Sequence, residues 1–366
     1  LRAVEDWAES RAAFDAVVYP SLMVATRRRA PAAVAVRESP SDANSEPPMG
    51  VAVHRRDDAL AWRMERAQLP LDSSPGAPWL LLPPDARTGF DRLARAGPPL
   101  ARSPFGRPLL GVKSGCNEAF IVTPRPGWRE APGAQWPVRD GAHHGAREGC
   151  VEASLLRPLL RGEHVRAWRA EPDDAALVWT HGADDAPLQR LPSGAAEWLA
   201  PWRRRLEART DAHSGASSRW WSLFRTESAR CDVPRVVWSD IGKSPRALVI
   251  PASDPTVPLN SCYVARAPSY EEALAFAALL NSPIAAAWLA AIAEPARGGY
   301  HRYLGWTMSR FPLPDDWARA VNILAPLARR ALEGEPPSAP ELADVTIRAY
   351  RVRPSDVAAL MTWCLR

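Results

Sequence analysis

Lysine occurs at only two positions of this chain, and both lie in short loops flanked by glycine and serine. Lysine and arginine together number 46, so the other 44 are arginine. Lys113 lies in "GVKSGCNEAF" and Lys243 in "DIGKSPR". A glycine-flanked loop lets the backbone approach a phosphate group, where backbone N–H groups and a lysine ammonium bind it together. The rigid, planar guanidinium of arginine does not replace a compact ammonium in a tight loop.

We therefore interpret the two loops as phosphate-binding sites, with Lys113, Ser114, Lys243 and Arg246 as the contact residues. The alternative is that two lysines persist by chance in a GC-rich gene. A third basic stretch, Arg203–Arg204–Arg205, lies on a predicted helix, where such a run is more typical of a solvated face.

The segment "RWWSLFR" offers aromatic rings to a flat ligand. Trp220 and Trp221 are adjacent there, between Arg219 and Arg225. If the segment is a strand, adjacent side chains point to opposite faces, so at most one indole stacks. Stacking on a nucleobase contributes about 1–3 kcal/mol. We assign that role to Trp221 and core packing to Trp220.

The elements that carry these residues alternate irregularly between strands and helices. Strand–loop–strand units surround both lysines, in "PLLGVKSGCNEAFIVT" and "PRVVWSDIGKSPRALVI". Further predicted strands are "VAVHRR", "WLLLPPD", "ALVWTH" and "NSCYVAR"; predicted helices are "RTGFDRLARAG", ending at Gly97, and "AEWLAPWRRRLEART". The pattern lacks βαβ alternation, which favours an α+β fold with a mixed sheet over a doubly wound enzyme.

The most apolar stretch of the chain is "ALAFAALLNSPIAAAWLAAIA". Asn281 and Pro283 interrupt it, so it predicts a buried pair of helices rather than a membrane span. The first residues contain no apolar h-region, which argues against a signal peptide.

Composition divides the chain into four predicted segments. Residues 1–36 begin with a short amphipathic helix and continue into the β-type run "VVYPSLMVAT", which is too short for a domain and indicates the end of a preceding one. Residues 37–50 form a Pro/Ser/Asn/Glu linker, 51–315 the main domain and 316–366 a helical C-terminal extension. The chain opens on Leu rather than Met, which predicts that a longer protein extends upstream.

Charge and cysteine content limit the classes of site. The formal net charge of +5 and pI of about 9.2 favour a polyanionic partner, although a basic surface kept for solubility gives the same balance. The five cysteines include no CxxC pair, which disfavours a zinc site and predicts reduced thiols in the cytoplasm. His143 and His144 lie near Cys150, but their spacing fits no ligand pattern, so we interpret them as part of a loop.

The order of nine motifs resembles the C-terminal half of the TaqI-like and type IIG DNA adenine-N6 methyltransferases. The motifs are "PLARSPFGRPLLGVKSGCNEAFIV", "LLRPLLRGEHVRAW", "WLAPWRRRLEAR", "RWWSLFR", "PRVVWSDIGKSPRALV", "NSCYVA", "ALLNSPIAAAWL", "GGYHRYLGWTMSRFPLP" and "ELADVTIRAYRVRPSDVAAL". The first contains a stretch similar to the family pattern Gly-Ile/Val-Lys-Thr-Gly-Cys/Asn-Asn-Glu/Asp-Ala-Phe, with Ser114 in place of threonine. The resemblance extends, with gaps, from about residue 80 to the C-terminus, and "FDAVVYPSLMVATRR" is similar to the last strands of the methyltransferase domain.

The resemblance implies a role in DNA recognition. In this family a methyltransferase domain precedes a target-recognition domain, so residues 51–315 would clamp duplex DNA while the catalytic domain of a restriction-modification enzyme methylates a flipped adenine. Base-reading candidates come from the loops that the family uses and from residue type, since arginine matches guanine and asparagine matches adenine. The candidate DNA contacts are Lys113, Ser114, Asn117, Arg161, His164, Trp221, Lys243, Arg246, Tyr300, His301 and Arg302. Arg166 is a further base-reading candidate, and Gly298–Gly299 is predicted to form a flexible turn before Tyr300.

Two parts of the family's catalytic machinery are missing from this chain. It contains no G-x-G turn for S-adenosylmethionine, and none of its Pro-Pro pairs fits the Asn/Asp-Pro-Pro-Tyr/Phe loop that receives the flipped adenine. The resemblance therefore implies that the parent enzyme binds the cofactor upstream of this segment. We expect no catalytic or metal-binding residue here and no methylation by this segment alone.

Three other functions remain open. A non-enzymatic specificity subunit would bind DNA for a separate methyltransferase or nuclease, although the strand-like run at 14–26 favours a fused catalytic domain. A nuclease would need a Glu-x-Lys motif after the acidic "EPDDAAL", and neither lysine has Glu two positions earlier. A general α+β binding protein would show no affinity for duplex DNA at low salt.

Overall fold

The structure is a computed structural model that describes residues 3–6, 21–25, 50–55, 60–141, 147–209 and 219–365. Several predictions fall in the gaps and lie outside the described residues: the part of the β-type run before Ser21, the linker up to residue 49, and His143–His144. The prediction of an α+β fold with mixed sheets is confirmed.

Seventeen strands and ten helices are found in the part of the chain that the structure describes. The strands are β1 (Ala3–Asp6), β2 (Ser21–Val24), β3 (Gly50–Arg55), β4 (Leu60–Glu65), β5 (Leu109–Leu110), β6 (Ile121–Pro124), β7 (Gln135–Asp140), β8 (Glu148–Glu152), β9 (Leu156–Leu160), β10 (Ala176–Val178), β11 (Arg235–Ser239), β12 (Ile241–Gly242), β13 (Ala247–Ile250), β14 (Val257–Pro258), β15 (Cys262–Arg266), β16 (Glu294–Ala296) and β17 (Tyr300–Arg302). The helices are α1 (Pro84–Ala94), α2 (Asn117–Phe120), α3 (Ser193–Leu199), α4 (Arg203–Glu207), α5 (Tyr270–Leu280), α6 (Pro283–Ala290), α7 (Gly305–Ser309), α8 (Trp317–Leu332), α9 (Ala339–Tyr350) and α10 (Pro354–Cys364).

The chain divides into two compact units, Leu1–Arg92 with Ser355–Arg366, and Leu93–Pro354. The first unit contains a four-stranded sheet in the order β2-β1-β3-β4, in which β1 runs antiparallel to β2 and parallel to β3. Strands from both sides of the predicted linker thus share one sheet. The segment boundaries expected from composition stay a prediction.

Two predictions in the first unit are wrong. The amphipathic helix expected at the start of the chain is a strand over Ala3–Asp6, because pairing on both sides overrides the local preference. The strand expected in "WLLLPPD" makes only an isolated bridge between Trp79 and Pro70. Its two prolines lack the N–H groups that a sheet ladder needs, and Pro84 begins α1 instead.

Helix α10 packs within the first unit through aromatic contacts. The ring of Trp363 meets that of Trp62 edge-on, with centroids 5.2 Å apart, and the guanidinium of Arg55 lies 5.2 Å from the Trp363 ring centroid. Val51 and Val53 of β3 lie buried in the core of this unit.

The second unit contains three sheets. Their strand orders are β14-β9-β10-β6-β7-β8, β13-β11-β15-β5 and β12-β17-β16. The strand–loop–strand prediction around Lys243 is confirmed, since β11 and β13 flank it as an antiparallel pair. Around Lys113 the two strands β5 and β6 are found as predicted, but the short helix α2 lies between the loop and β6. The single helix expected in "AEWLAPWRRRLEART" is wrong in its middle: Pro201 lies in a 3-10 turn, Ala200–Trp202, that separates α3 from α4.

The buried helix pair is confirmed, and each of its helices begins at a serine cap. The hydroxyl oxygens of Ser269 and Ser282 accept from the N–H groups of Glu272 and Ala285. Between the helices, Asn281 exchanges two hydrogen bonds with the backbone of Ala247, 2.8 and 3.0 Å long, and so ties the pair to β13. No single helix among the described residues is long and apolar enough to cross a membrane; α5 and α6 pass that test only as a pair bent by 64°.

Candidate functional site

The loop that carries Lys113 is held by two segments distant in sequence. The N–H and carbonyl of Lys113 both bond the backbone of Phe224, at 3.0 Å each, and the Val112 N–H donates to the Pro258 carbonyl at 2.8 Å. The ammonium-bearing side chain of Lys113 is half-buried. The position of this lysine is therefore fixed by tertiary structure on both sides.

Both glycines of the loop are required by packing. A Cβ atom on Gly111 would lie 2.0 Å from the Leu259 carbonyl oxygen. Gly115 has a positive φ of 67°, and a Cβ there would lie 2.6 Å from Cδ of Arg209. The sequence led us to interpret these glycines as opening the backbone to a phosphate. The structure gives a second reason for glycine at both positions, because protein atoms approach them closely.

Ser114 orients Asn117. The buried Ser114 hydroxyl donates to Oδ1 of Asn117 at 2.7 Å and accepts from the Cys116 N–H at 3.2 Å. The Asn117 side chain is exposed at the start of α2. The hydroxyl predicted to bind phosphate therefore serves the loop itself, and it holds the carboxamide predicted to read a base.

An open cavity of about 580 Å³ is lined by four of the predicted DNA contacts, Lys113, Ser114, Asn117 and Arg161. The Lys113 loop forms one wall, Arg161 after β9 another, and Arg205 of α4 a third. Parallel pairing of β14 with β9 brings Leu259 and Asn260 beside Arg161. The cavity is lined by Lys113, Ser114, Gly115, Cys116, Asn117, Glu118, Ile121, Arg161, Glu163, Arg205, Leu259 and Asn260.

Glu118 balances the cations at this cavity. Its carboxylate lies 3.2 Å from Nη1 of Arg205 and accepts from the Cys116 thiol at 3.5 Å. Its own backbone N–H, then the thiol and Arg205, lower the pKa of Glu118, while burial raises the pKa of Cys116. Arg205 thus belongs to the cavity, although the arginine run to which it belongs is exposed, as expected of a solvated face.

Arg161 and His164 meet at one carboxylate. Nε of Arg161 lies 3.7 Å and Nδ1 of His164 3.1 Å from Oδ2 of Asp173, and Nη2 of Arg161 donates to the Gly141 carbonyl at 3.3 Å. Arg166 pairs separately with Glu171 at 2.7 Å. Arg161 and His164 therefore share one acidic neighbour, and Arg166 forms an ion pair with another.

Sequence reasoning missed Arg209, which joins the walls of the cavity. Its buried guanidinium donates to the carbonyl oxygens of Ser114, Leu206 and Trp220, the last two at 3.0 and 2.7 Å. The same group lies 4.8 Å from the ring centroid of Phe224. In a chain with 44 arginines, the sequence around Arg209 does not distinguish it from the others.

The second lysine loop lies beside the hairpin of β16 and β17, whose turn contains Gly298 and Gly299, where a turn was predicted. Strand β12 pairs with β17, and β17 pairs with β16, so Lys243 lies beside Tyr300, His301 and Arg302. The Lys243 ammonium is 5.8 Å from the Tyr300 ring centroid. Arg246 is exposed in the loop that leads to β13.

The residues of the Lys113 cavity and those around Lys243 are connected through one short segment. Asn260 lines the cavity, and the carbonyl of the next residue, Ser261, accepts from the Asp240 N–H at 3.0 Å. The Asp240 carbonyl in turn accepts from the N–H of Tyr303, directly after β17, at 2.8 Å. Burial raises the pKa of Asp240, and the charge of Arg302 opposes that rise.

Trp220 and Trp221 lie in a turn rather than a strand. Their rings contact each other edge-on at 5.2 Å, and both are half-buried against the core of the six-stranded sheet. The indole N–H of Trp221 donates to the Leu188 carbonyl at 3.2 Å. The expectation of opposite faces on a strand is wrong, and stacking of Trp221 on a ligand stays a prediction.

Among the comparisons with known proteins, only the comparison with solved structures gave a match. No protein-family model and no curated protein matches the chain. Among solved structures, a similar chain comes from "Structure of Type IIL restriction-modification enzyme MmeI in complex with DNA", at 10% identity and a TM-score of 0.47. The match covers 86% of this chain and 38% of that one, so the chain spans well under half of the enzyme's length. A likeness of this size assigns no function.

The described residues contain no group of three or more His, Cys, Asp and Glu side chains that could hold a metal ion. The five cysteines are free thiols, of which Cys116 and Cys262 are buried.

Proposed function

We propose that residues 51–315 form a DNA target-recognition domain of the TaqI-like kind, part of a cytoplasmic, site-specific adenine-N6 methyltransferase of a restriction-modification system. The observation that carries this proposal is the convergence of Lys113, Asn117 and Arg161 on one open cavity. Residues of these types are the ones that contact phosphates and the edges of adenine and guanine. The motif order that resembles this enzyme family supports the same function.

The geometry suits two kinds of contact, one to DNA phosphates and one to base edges. Lys113 and Lys243 would contact phosphates from two adjoining loops, which sets the register of the duplex. Asn117 and Arg161 would read base edges, each hydrogen-bonded within the protein, Asn117 to the Ser114 hydroxyl and Arg161 to the Gly141 carbonyl. A clamp of this kind offsets the cost of extruding the target adenine.

The sequence has no G-x-G turn for S-adenosylmethionine. In the Lys113 loop, a Cβ atom on Gly111 or Gly115 would clash with the Leu259 carbonyl or the Arg209 side chain, so packing within the protein accounts for both glycines. We therefore assign methyl transfer to a catalytic domain outside this sequence. The chain contributes the binding of DNA, and no step of the transfer is assigned to its residues.

The test is binding of the 366-residue chain to duplex DNA over a series of salt concentrations. The logarithm of affinity should fall linearly with the logarithm of salt, and Lys113→Ala or Lys243→Ala should each flatten the slope by about 0.9. The control is Arg330→Ala, which removes an exposed charge of α8, paired with Glu341 at 2.8 Å, outside the proposed DNA surface. Absence of binding at low salt, or equal slopes for all four proteins, would contradict the proposal.

A further inference from the structure

One face of the sheet β12-β17-β16 carries exposed aromatic and apolar side chains. Register places Ile241 and Glu294 opposite Arg302, and Tyr300 lies two residues before Arg302 on the same face. Ile241 is 38% exposed and Tyr300 41%. Trp306, 38% exposed, joins this face because its indole N–H donates to Glu294 at 3.1 Å.

The opposite face of this sheet packs against buried residues. On the opposite side, the His301 ring lies 6.5 Å from that of buried Tyr303, whose carbonyl accepts from the indole of Trp238 at 3.2 Å. Gly298 and Gly299, with φ values of 79° and 74°, form the turn before Tyr300. The Tyr300 ring thus projects from the end of a hairpin whose base is anchored in the core.

Two cations, Lys243 and Arg302, lie near the exposed ring of Tyr300. Lys243 lies 5.8 Å from the Tyr300 ring centroid, and the exposed Arg302 follows two residues later. The carboxylate on this face, Glu294, already accepts from Trp306. An exposed aromatic ring with two cations on the same side of the sheet complements a ligand that has flat apolar surfaces next to anionic groups, which is the arrangement of a base step beside its phosphates.

We infer that Tyr300 acts as a wedge that inserts at a base step of duplex DNA, with Lys243 and Arg302 at the flanking phosphates and Trp306 and Ile241 extending the contact. The inference rests on the proposed function, and adds to it a deformation of the DNA. Insertion requires partial unstacking, and a mismatched base pair has already lost part of that stacking. The wedge therefore predicts a preference for mismatched over matched duplex that does not depend on knowing the recognised sequence.

The experiment measures affinities of the 366-residue chain for two duplexes that differ by a single mismatched pair. The native chain should bind the mismatched duplex about tenfold more tightly. Tyr300→Ser should bring this ratio close to one and weaken binding to the mismatched duplex by about tenfold, since base stacking is lost. Tyr300→Phe keeps the ring and should keep the ratio. Lys243→Ala should weaken binding to both duplexes by a similar factor.

The matched control is Tyr270→Ser, since Tyr270 is 40% exposed at the start of α5, away from this sheet. Its ratio should equal that of the native chain. Equal affinities of the native chain for the two duplexes, or a ratio that persists in Tyr300→Ser, would overturn the wedge while the DNA-binding proposal stands. Failure of the native chain to bind either duplex would overturn both.

Discussion

The guanidinium of Arg209 donates a hydrogen bond to the backbone carbonyl of Ser114, a residue 95 positions earlier in the chain. The same guanidinium bonds the carbonyls of Leu206 and Trp220. One side chain thus joins α4, the Lys113 loop and the Trp220 turn. The positions of the predicted DNA contacts depend on a residue that is itself buried.

Replacement of Arg209 by methionine should cost about 2–4 kcal/mol in the free energy of unfolding, because backbone carbonyls lose their buried donor. Arg209→Lys should recover only part of this loss, since an ammonium cannot replace the planar fork of donors. Arg204→Met, at an exposed position of α4, is the control and should change stability by less than about 0.5 kcal/mol. Urea unfolding measures all three, and equal midpoints for the methionine variants would contradict the assigned role.

Ser114→Ala should affect DNA binding through Asn117. The substitution removes the donor to Oδ1 of Asn117 and the acceptor for the Cys116 N–H, at a cost of about 1–2 kcal/mol in stability. If Asn117 contacts DNA only when held in this orientation, Asn117→Ala should have little further effect on affinity in the Ser114→Ala background. A double-mutant cycle measures the coupling, with Ser114→Ala and Arg246→Ala as the pair expected to be additive. Additive losses for Ser114 and Asn117 would show that the orientation does not matter.

Local patterns predicted many of the elements in this protein. The strand–loop–strand pattern in "PRVVWSDIGKSPRALVI" led correctly to β11 and β13, and the break at Asn281 and Pro283 led to α5 and α6. Two of the errors arose where proline outweighed the pattern. Pro201 ended a helix that otherwise had good periodicity, and the prolines of "WLLLPPD" prevented a strand.

The sequence predicted which residue types the candidate site contains, but not which of them lie close together in the fold. Lys113 and Arg161 share a cavity because β14 pairs in parallel with β9 and because the N–H of Val112, next to Lys113, bonds the Pro258 carbonyl of β14. Such long-range pairings leave no trace in a single sequence. The charge partners of Arg161 and His164 were hidden for the same reason, since Asp173 approaches both only in the folded chain.

Acid should destabilise this protein in part through His181. Burial lowers the pKa of His181 to about 4, while Asp185 and Arg157 act on it in opposite directions. The folded state thus favours the neutral ring, and the stability this provides is fully present above the unfolded pKa of about 6.5 and is lost as the pH falls towards 4. The loss attributable to this residue is on the order of 2–3 kcal/mol over that range. Urea unfolding at a series of pH values should show a shallower pH dependence for His181→Gln, whereas His54→Gln, at an exposed position on β3, should follow the native curve. Identical pH dependence for native chain and His181→Gln would mean that the ring titrates alike in the folded and unfolded states.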